Sequence, residues 1–189
     1  MGNLLDYLKR RKVKKAIFYA VILLILGGIA YLVFKPEGER SSAQTVSSGK
    51  EVKPKASASV NRDFEFMAVN AKKEELPIGF TITNIERKDS IKLKGEAIRP
   101  SDGHDFLLVR VELTNDHPQR VAIATADRVR IEGEEGKLFA PDYHNGNVVI
   151  DPISVRKDVL AFIVDAGDKS FSFLVGELTG DKQRIEIKF

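Results

Sequence analysis

The sequence of 189 residues predicts an all-β domain, an antiparallel β-sandwich, that follows one membrane-spanning helix and a flexible linker. Three observations support this prediction. A run of 19 residues near the N-terminus has no charged side chain, and a polar segment rich in Ser, Lys and Glu follows it. From Phe64 onward, apolar residues recur with a period of two, which is typical of strands. We therefore divide the chain into residues 1–15, 16–34, 35–60 and 61–189.

The apolar run, Ala16–Phe34, has the length of a membrane span. At 1.5 Å per residue it forms a helix of roughly 28 Å, which matches a hydrocarbon core of about 30 Å. Lys and Arg are held on the cytoplasmic side during insertion. We therefore expect a single-pass protein of the cytoplasmic membrane, with residues 1–15 inside, the later domain outside, and the lipid bilayer as a partner. The predicted insertion signal consists of Lys9, Arg10, Arg11, Lys12, Lys14 and Lys15.

A cleaved signal peptide is the alternative interpretation of the same segment. Gly28-Ile29-Ala30 places small residues at the two positions that a signal peptidase reads, and cleavage there would leave a secreted domain. The uninterrupted apolar run exceeds the usual signal length of about 7 to 15 residues. This length favours an uncleaved anchor.

Small residues recur along one side of the predicted helix, at spacings of four and three that only Leu23 interrupts. Such spacing lets two helix backbones approach closely in a membrane. A weak homo-oligomer through this helix is one hypothesis, and the general abundance of Ala and Gly in membrane helices is the other. The seam consists of Ala16, Ala20, Gly27 and Ala30.

The segment of residues 35–60 contains two prolines and almost no large apolar side chain. A segment of this composition buries too little surface to offset the entropy lost on ordering. We expect a flexible linker that spans roughly 28 Å on average.

The clearest strand is Phe106–Asn115, which places Leu107, Val109, Val111 and Leu113 on one face. Its other face carries Arg110, Glu112 and two apolar residues, which form either an exposed patch or a contact with a second sheet; these are Phe106 and Leu108. Shorter alternating runs, separated by turn residues, indicate an antiparallel sandwich. These runs are Ile78–Thr83, Arg128–Glu132, Phe171–Val175 and Arg184–Phe189, and Leu160–Val164 is a more continuous apolar strand.

Several of these segments share a pattern with a known group of domains. Gly103–Asn115, an alternating strand that ends in Asn and a turn, resembles a strand signature of Ig-like extracytoplasmic domains in bacterial and archaeal membrane proteins and lipoproteins. This group has no known function and is related to the immunoprotective extracellular antigen fold of mycobacteria. The resemblance covers about Ile78 to Phe189, implies an Ig-like sandwich and transfers no catalytic residues. The other matching pieces are Val129–Gly136 with Phe139–Asp142, Leu160–Asp165, Phe171–Gly176 and Ile185–Ile187.

The composition and the absence of certain motifs argue against several classes of function. The chain has no cysteine, which rules out disulfides and a lipoprotein anchor. Residues 61–189 carry 19 basic and 23 acidic side chains, a formal charge of −4 that gives no support to nucleic-acid binding. The sequence contains no H-E-x-x-H, G-x-S-x-G or Walker A motif. We therefore expect no enzymatic activity and no cofactor.

The three histidines all fall in predicted loops: His104, His117 and His144. A metal site would group His104 with Asp102 and Asp105, or His117 with Asp116. We favour turn composition as the explanation, because no two of these histidines have the i, i+2 or i, i+4 spacing of a strand or helix metal site. We predict no metal site.

The longest polar and aromatic connection runs from Ala140 to Asp158, and β-sandwiches place recognition on such loops. An ordinary long loop with an Asn-Gly turn is the alternative. The candidate contact residues are Tyr143, His144, Asn145 and Asn147. The expected function is a membrane-anchored extracytoplasmic binding module for a protein or envelope partner; a structural subunit of an envelope or secretion assembly is the second hypothesis.

Overall fold

The computed structural model describes residues 53–93 and 95–189. The predicted insertion signal, the predicted helix 16–34 with its small-residue seam, and linker residues 35–52 lie outside the described residues. No helix in the two described ranges is long and apolar enough to cross a membrane.

The described chain is a β-sandwich of two antiparallel sheets with a small hairpin beside them. The large sheet has the strand order β10-β5-β2-β1-β6-β9 and the small sheet the order β12-β11-β7-β8, while β3 pairs with β4. This architecture confirms the predicted all-β sandwich. The strands are β1 Ala56–Asn70, β2 Glu75–Lys88, β3 Ile91–Leu93, β4 Glu96–Ile98, β5 His104–Asn115, β6 Val121–Ala124, β7 Val129–Glu132, β8 Leu138–Phe139, β9 Asn147–Ile150, β10 Ser154–Asp165, β11 Ser170–Gly176 and β12 Lys182–Lys188.

The core lies between the two sheets and follows the predicted alternation of β5. Leu107, Val109, Val111 and Leu113 are each at most 2% exposed. From the large sheet, Phe162 meets Phe173 of the small sheet, with ring centroids 5.8 Å apart. The period of two therefore assigned the buried face of β5 correctly.

Strand β1 begins inside the predicted linker, so the linker boundary at residue 60 was wrong. Backbone pairing with β2 extends back to Ala56, which lies opposite Arg87. Ala58 and Val60 pack against the core although both are small. In this stretch Ala and Val alternate with Ser and Asn. This is a weak strand signal, because the apolar side chains are small and offer little apolar area.

A β-bulge changes the alternation of the long strand β2. In β1, Val60 and Asn61 lie between the pairs Ser59–Asn84 and Arg62–Ile82, and Asn61 has a positive φ of 47°. In β2, Thr83 lies between the pairs Ile82–Val111 and Asn84–Arg110 and has no register partner in β5. Because this extra residue shifts the alternation by one position, Ile82 and Ile85 both enter the core. Glu86 and Lys88 consequently face away from it.

The outer face of β5 is covered by the β3–β4 hairpin. Phe106 and Leu108 are 1% and 4% exposed, in a cluster with Ile91 of the hairpin. Tyr143 packs against the same cluster. These residues therefore form neither an exposed patch nor a contact with the small sheet: a short hairpin, whose three-residue strands were not predicted, buries them.

The two lateral sides of the sandwich differ. On what we call the closed side, residues 141–143 follow the free edge of β10, where Tyr143 and Ala161 exchange backbone hydrogen bonds of 2.9 and 3.1 Å. On the open side, the part of β1 that has no partner on one edge contacts β12, the edge strand of the small sheet, through the side chain of Arg62. Strand β1 pairs with β6 only at Val69 and Asn70. Within residues 53–93 and 95–189, no backbone hydrogen bond joins β1 to β12.

Candidate functional site

Tyr143, the aromatic member of the predicted contact loop, lies against the scaffold. Its ring meets that of Phe106 edge to face, with centroids 5.8 Å apart. Its backbone pairs with Ala161. The tyrosine therefore contributes to closing one side of the sandwich.

Two further residues of that loop are held by local hydrogen bonds. Asn145 Nδ2 donates to Asp158 Oδ1 at 2.6 Å. Asp158 is 3% exposed, and its other oxygen accepts from Thr125 Oγ1 at 2.5 Å. The backbone N–H of Gly146 donates to His144 Nδ1 at 3.0 Å. Both side chains thus help to fix the loop on the domain.

The predicted connection from Ala140 to Asp158 is not one long loop, because it contains β9 and the first residues of β10, Ser154 to Asp158. The fourth member, Asn147, begins β9 opposite Ala124 of β6 and is exposed. The loop therefore brings all four predicted residues into one region, with Asn147 presented to solvent. Its contact role stays a prediction.

The residues weighed for a metal site are separated. Asp105 turns toward the core, where Lys55 Nζ and Arg87 Nε approach its oxygens to 2.5 and 2.8 Å, whereas His104 is exposed. His117 Nε2 lies 2.8 Å from the carbonyl of Pro77. Across the described residues, no group of three or more His, Asp or Glu side chains is arranged to hold a metal ion.

The open side of the sandwich contains a cleft of about 380 Å³, which runs between β1 and the turn that joins β11 to β12. We call it the edge cleft. Four consecutive residues of β1 line it, Phe64 to Met67. Since successive side chains of a strand point to opposite faces, a cleft lined in this way borders the edge of the strand. Its other lining residues are Val175, Gly176, Glu177, Asp181 and Gln183.

Aromatic rings and a partly buried cation support the cleft. The rings of Phe64 and Phe66 stack with centroids 6.2 Å apart, and Phe80 meets Phe66 edge to face at 5.1 Å. The Arg128 guanidinium lies 5.2 Å from the Phe66 centroid and forms an ion pair with Glu177. Burial lowers the pKa of Arg128 below its ordinary value. Arg128 thereby holds two lining residues of the edge cleft in place: Phe66, which with Phe64 forms its aromatic floor, and Glu177, which lies on the opposite wall.

Gly176 permits the close approach of the two strands at this end. A Cβ on Gly176 would lie 2.5 Å from the backbone oxygen of Asp181. Any larger residue would therefore push the turn that carries Asp181 away from β11. The shape of the cleft depends on this glycine.

The lining of the cleft is acidic. Glu65, Glu177 and Asp181 contribute carboxylates, and none of the lining residues is Lys or Arg. Glu65 and Asp181 are exposed. With Glu177 paired to Arg128, two carboxylates remain to attract a cationic group.

A second polar groove, of about 280 Å³, lies on the outer face of β2, β5 and β10. There Arg110 Nη2 and Lys88 Nζ approach Glu86 Oε2 to 2.9 and 3.1 Å. Burial raises the pKa of Glu86, but hydrogen bonds from Arg110 and Lys88 outweigh it and bring the pKa to about 2. Because these charges compensate one another, we assign the groove to the scaffold.

Sequence reasoning did not find the edge cleft, because its walls come from chain segments more than 100 residues apart. The available signal was the alternation of Phe64 and Phe66 with Glu65 and Met67. That pattern indicates a strand with an apolar and a polar face, but it does not show that one edge of the strand lacks a partner.

Comparison with known proteins gives similar solved structures. No protein-family model matches the chain. No curated protein matches it either. A crystal structure of a conserved hypothetical protein from Bacillus anthracis is 15% identical with a TM-score of 0.49, covering 70% of this chain and 98% of its own. An uncharacterised β-sandwich protein from Clostridium difficile is also 15% identical, with a TM-score of 0.45 and coverage of 72% and 100%.

Proposed function

We propose that this chain is a single-pass membrane protein whose extracytoplasmic Ig-like sandwich is a non-catalytic binding module for a protein or envelope partner. The edge cleft is the observation that carries the binding role. It combines an aromatic floor, an acidic rim and an unpaired strand edge, all on the open side of the sandwich. Exposed strand edges of this kind are recurrent docking sites for extended peptides.

Membrane anchoring is supported by the sequence. Ala16–Phe34 has the length and apolar composition of a span, and six basic residues stand before it. With this orientation the sandwich would lie outside the cytoplasmic membrane, at the end of a linker that begins at Lys35.

The Ig-like assignment is supported by the residue that ends the signature strand. Asn115 is 0% exposed, and its Nδ2 donates to the carbonyls of Gln119 and Asp151 at 2.8 and 2.9 Å. Its Oδ1 accepts from the backbone N–H of His117 at 3.0 Å. A strand that ends in Asn therefore has a physical reason here, because this side chain organises the following turn.

A binding role without catalysis fits the chemistry of the cleft. Its lining contains carboxylates, an amide and apolar groups, and it includes no histidine, serine, threonine, tyrosine or lysine. Hydroxyl, imidazole and amine nucleophiles are thus missing from this lining, and its carboxylates are either exposed, as in Glu65 and Asp181, or paired with Arg128, as in Glu177. The lining residues instead suit the recognition of a cationic, partly apolar ligand.

Topology is tested first, with protease added to intact cells or spheroplasts. We expect cleavage in the linker and release of the C-terminal fragment. Protection of that fragment would contradict the proposed orientation. Intact-mass measurement of the mature protein separates the two N-terminal interpretations, because loss of residues 1–30 would show a cleaved signal peptide.

Binding is tested by placing a photo-crosslinking amino acid at Met67, which lines the edge cleft and is 40% exposed. Illumination of intact cells should yield one dominant adduct with an envelope protein. The same amino acid at Glu186, exposed on β12 and not among the cleft residues, is the control. Equal adducts from both positions, or none from Met67, would contradict a binding role for the cleft.

A further inference from the structure

The outer edge of β1 is the surface from which the next inference starts. Strand β6 pairs with β1 at Val69 and Asn70 and then leaves through the one-turn 3-10 helix Thr125–Asp127 toward the small sheet. From Ala56 to Ala68, the edge of β1 away from β2 pairs with no other described strand. A strand added here would occupy the position in which β6 would otherwise continue.

The edge cleft lies directly beside this unpaired segment. Because Phe64 to Met67 line it consecutively, its volume is adjacent to the main chain of β1 as well as to its side chains. A volume of about 380 Å³ lies at the lower end of the roughly 300–1,000 Å³ range of ligand clefts. It therefore accommodates a short stretch of extended chain.

The two faces of β1 determine which side chains such a strand would carry. Phe64 and Phe66 lie on the core side, where both pack with the hydrophobic core. Glu65 and Met67 are exposed on the opposite face. In an added strand, alternate side chains would meet the phenylalanines and the glutamate in turn. Apolar residues suit the first set of positions, and basic residues suit the second.

The negative charge of the edge cleft favours basic over acidic peptides. Glu65 and Asp181 supply two exposed carboxylates that form no ion pair within the described residues, and Glu177 adds a third that Arg128 compensates. An acidic peptide would meet like charges on both walls of the cleft, whereas Lys or Arg would meet opposite charges.

We propose that the edge cleft binds an extended segment of a partner protein as an added β-strand on β1, and that this segment alternates apolar residues with Lys or Arg. The apolar side chains contact the Phe64 and Phe66 side of the cleft, and a basic side chain pairs with Glu65. This inference rests on the proposed binding function and specifies its partner chemistry.

The test uses the full chain in a neutral detergent and fluorescence anisotropy. The probe is a labelled heptapeptide in which Val alternates with Lys, and a peptide in which Val alternates with Glu is the charge control. We expect binding of the Val/Lys peptide and at least about tenfold weaker binding of the Val/Glu peptide. Equal binding of both, or binding of neither, would overturn the proposal.

Main-chain pairing is tested with N-methylated peptides. Two Val/Lys peptides carry methyl groups on the amides of all Lys or of all Val residues, so that each loses the donors of one edge while keeping its side chains. Strand addition predicts that at least one of them binds about tenfold more weakly or worse. Undiminished binding of both would reduce the interaction to electrostatic adsorption and overturn strand addition.

Charge reversals locate the site. Glu65→Lys and Asp181→Lys should each weaken binding of the Val/Lys peptide about tenfold. Glu186→Lys changes the net charge equally on an exposed residue outside the cleft and should leave binding unchanged. Equal loss in all three variants would show a response to net charge alone.

The failure of this inference is separable from failure of the proposed function. A partner crosslinked at Met67 in cells, together with no binding of the Val/Lys peptide, would leave the binding module standing and would remove strand addition. A C-terminal domain protected from external protease would overturn the proposed function irrespective of the peptide result.

Discussion

The closed and open sides of the sandwich are held by different kinds of interaction. On the closed side, the backbone of residues 142–143 pairs with Ala161, and the Tyr143 ring covers Phe106. On the open side, the contacts between the two edge strands come from side chains. Arg62 donates to Gln183 Oε1 and to the carbonyl of Arg184, both at 3.3 Å.

This difference shows how one edge can be kept available without becoming an aggregation surface. An unpaired edge is a template for unwanted pairing, and proteins protect such edges with charges and bulges. Strand β1 has both: Arg62, Asp63 and Glu65 are exposed along it, and the bulge at Val60 and Asn61 interrupts its pairing. The edge of β1 on the open side is therefore protected by charges and a bulge, whereas the edge of β10 on the closed side is covered by backbone pairing.

The largest expected effect concerns the core that both sides share. Val111 lies at the centre of β5 and is 2% exposed, so Val111→Asp would bury an unpaired charge between the sheets. We expect a loss of about 4 kcal/mol or more in the free energy of unfolding, measured by urea denaturation.

Glu112→Ala is the matched control for that substitution. Glu112 is the next residue on the outer face, in a long ion pair of 3.8 Å with Lys157. Its removal should change the free energy of unfolding by less than about 0.5 kcal/mol. Similar losses in the two variants would refute the assignment of the faces of β5.

Much of the sandwich could be predicted because its strands obey a simple period. The alternation in β7, β11, β12 and the second half of β5, Val109–Asn115, reflects burial on one face alone, which sequence records directly. The Asn145-Gly146 turn was also readable, since Gly146 adopts a positive φ of 65°.

The remaining features depend on neighbours that no local pattern shows. The facing of Ile85 follows from a bulge whose register is set by pairing with β1 and β5. The burial of Phe106 requires the β3–β4 hairpin, whose strands have three residues each. The edge cleft exists because β6 leaves β1 after Val69 and Asn70, which is a property of topology.

The next largest change in the free energy of unfolding is expected when one side chain is removed from the closed side and one from the open side. Tyr143→Ala removes the ring that packs on Phe106 and should lower the free energy of unfolding by about 2–3 kcal/mol. Arg62→Ala removes two exposed hydrogen bonds of the open side and should cost less than about 0.5 kcal/mol. Chemical denaturation of both variants measures the difference. A larger cost for Arg62→Ala would reverse the roles of the two sides.

A smaller effect, dependent on pH, concerns the charges beside the closed side. Glu86 lies opposite Leu108 in the register of β2 and β5, and its pKa is about 2 in the folded protein against an ordinary value of 4.5. Because the folded pKa is lowered, the ionised carboxylate stabilises the fold above pH 4.5, and this contribution is lost as the pH falls toward 2. Glu86→Gln should therefore cost about 2 kcal/mol at pH 7 and progressively less toward pH 2.

Urea denaturation at several pH values measures that dependence. Asp105, whose pKa is also below its ordinary value because Lys55 and Arg87 outweigh its burial, titrates in both proteins, so the difference between them isolates Glu86. A difference that grows as the pH falls would contradict the assigned direction of the pKa shift.

The smallest change in global stability, and the most direct comparison of the two edges, is expected in amide hydrogen exchange. The Ala161 N–H donates to Tyr143 O at 2.9 Å on the closed side. In Phe64–Ala68, alternate amides point away from β2 toward the edge cleft, so they should exchange at least about 100-fold faster than Ala161. Equally slow exchange of both would show that the edge of β1 is already occupied in the full chain. Addition of the Val/Lys peptide should then slow exchange of those β1 amides and leave Ala161 unchanged, because strand addition supplies acceptors to one edge only.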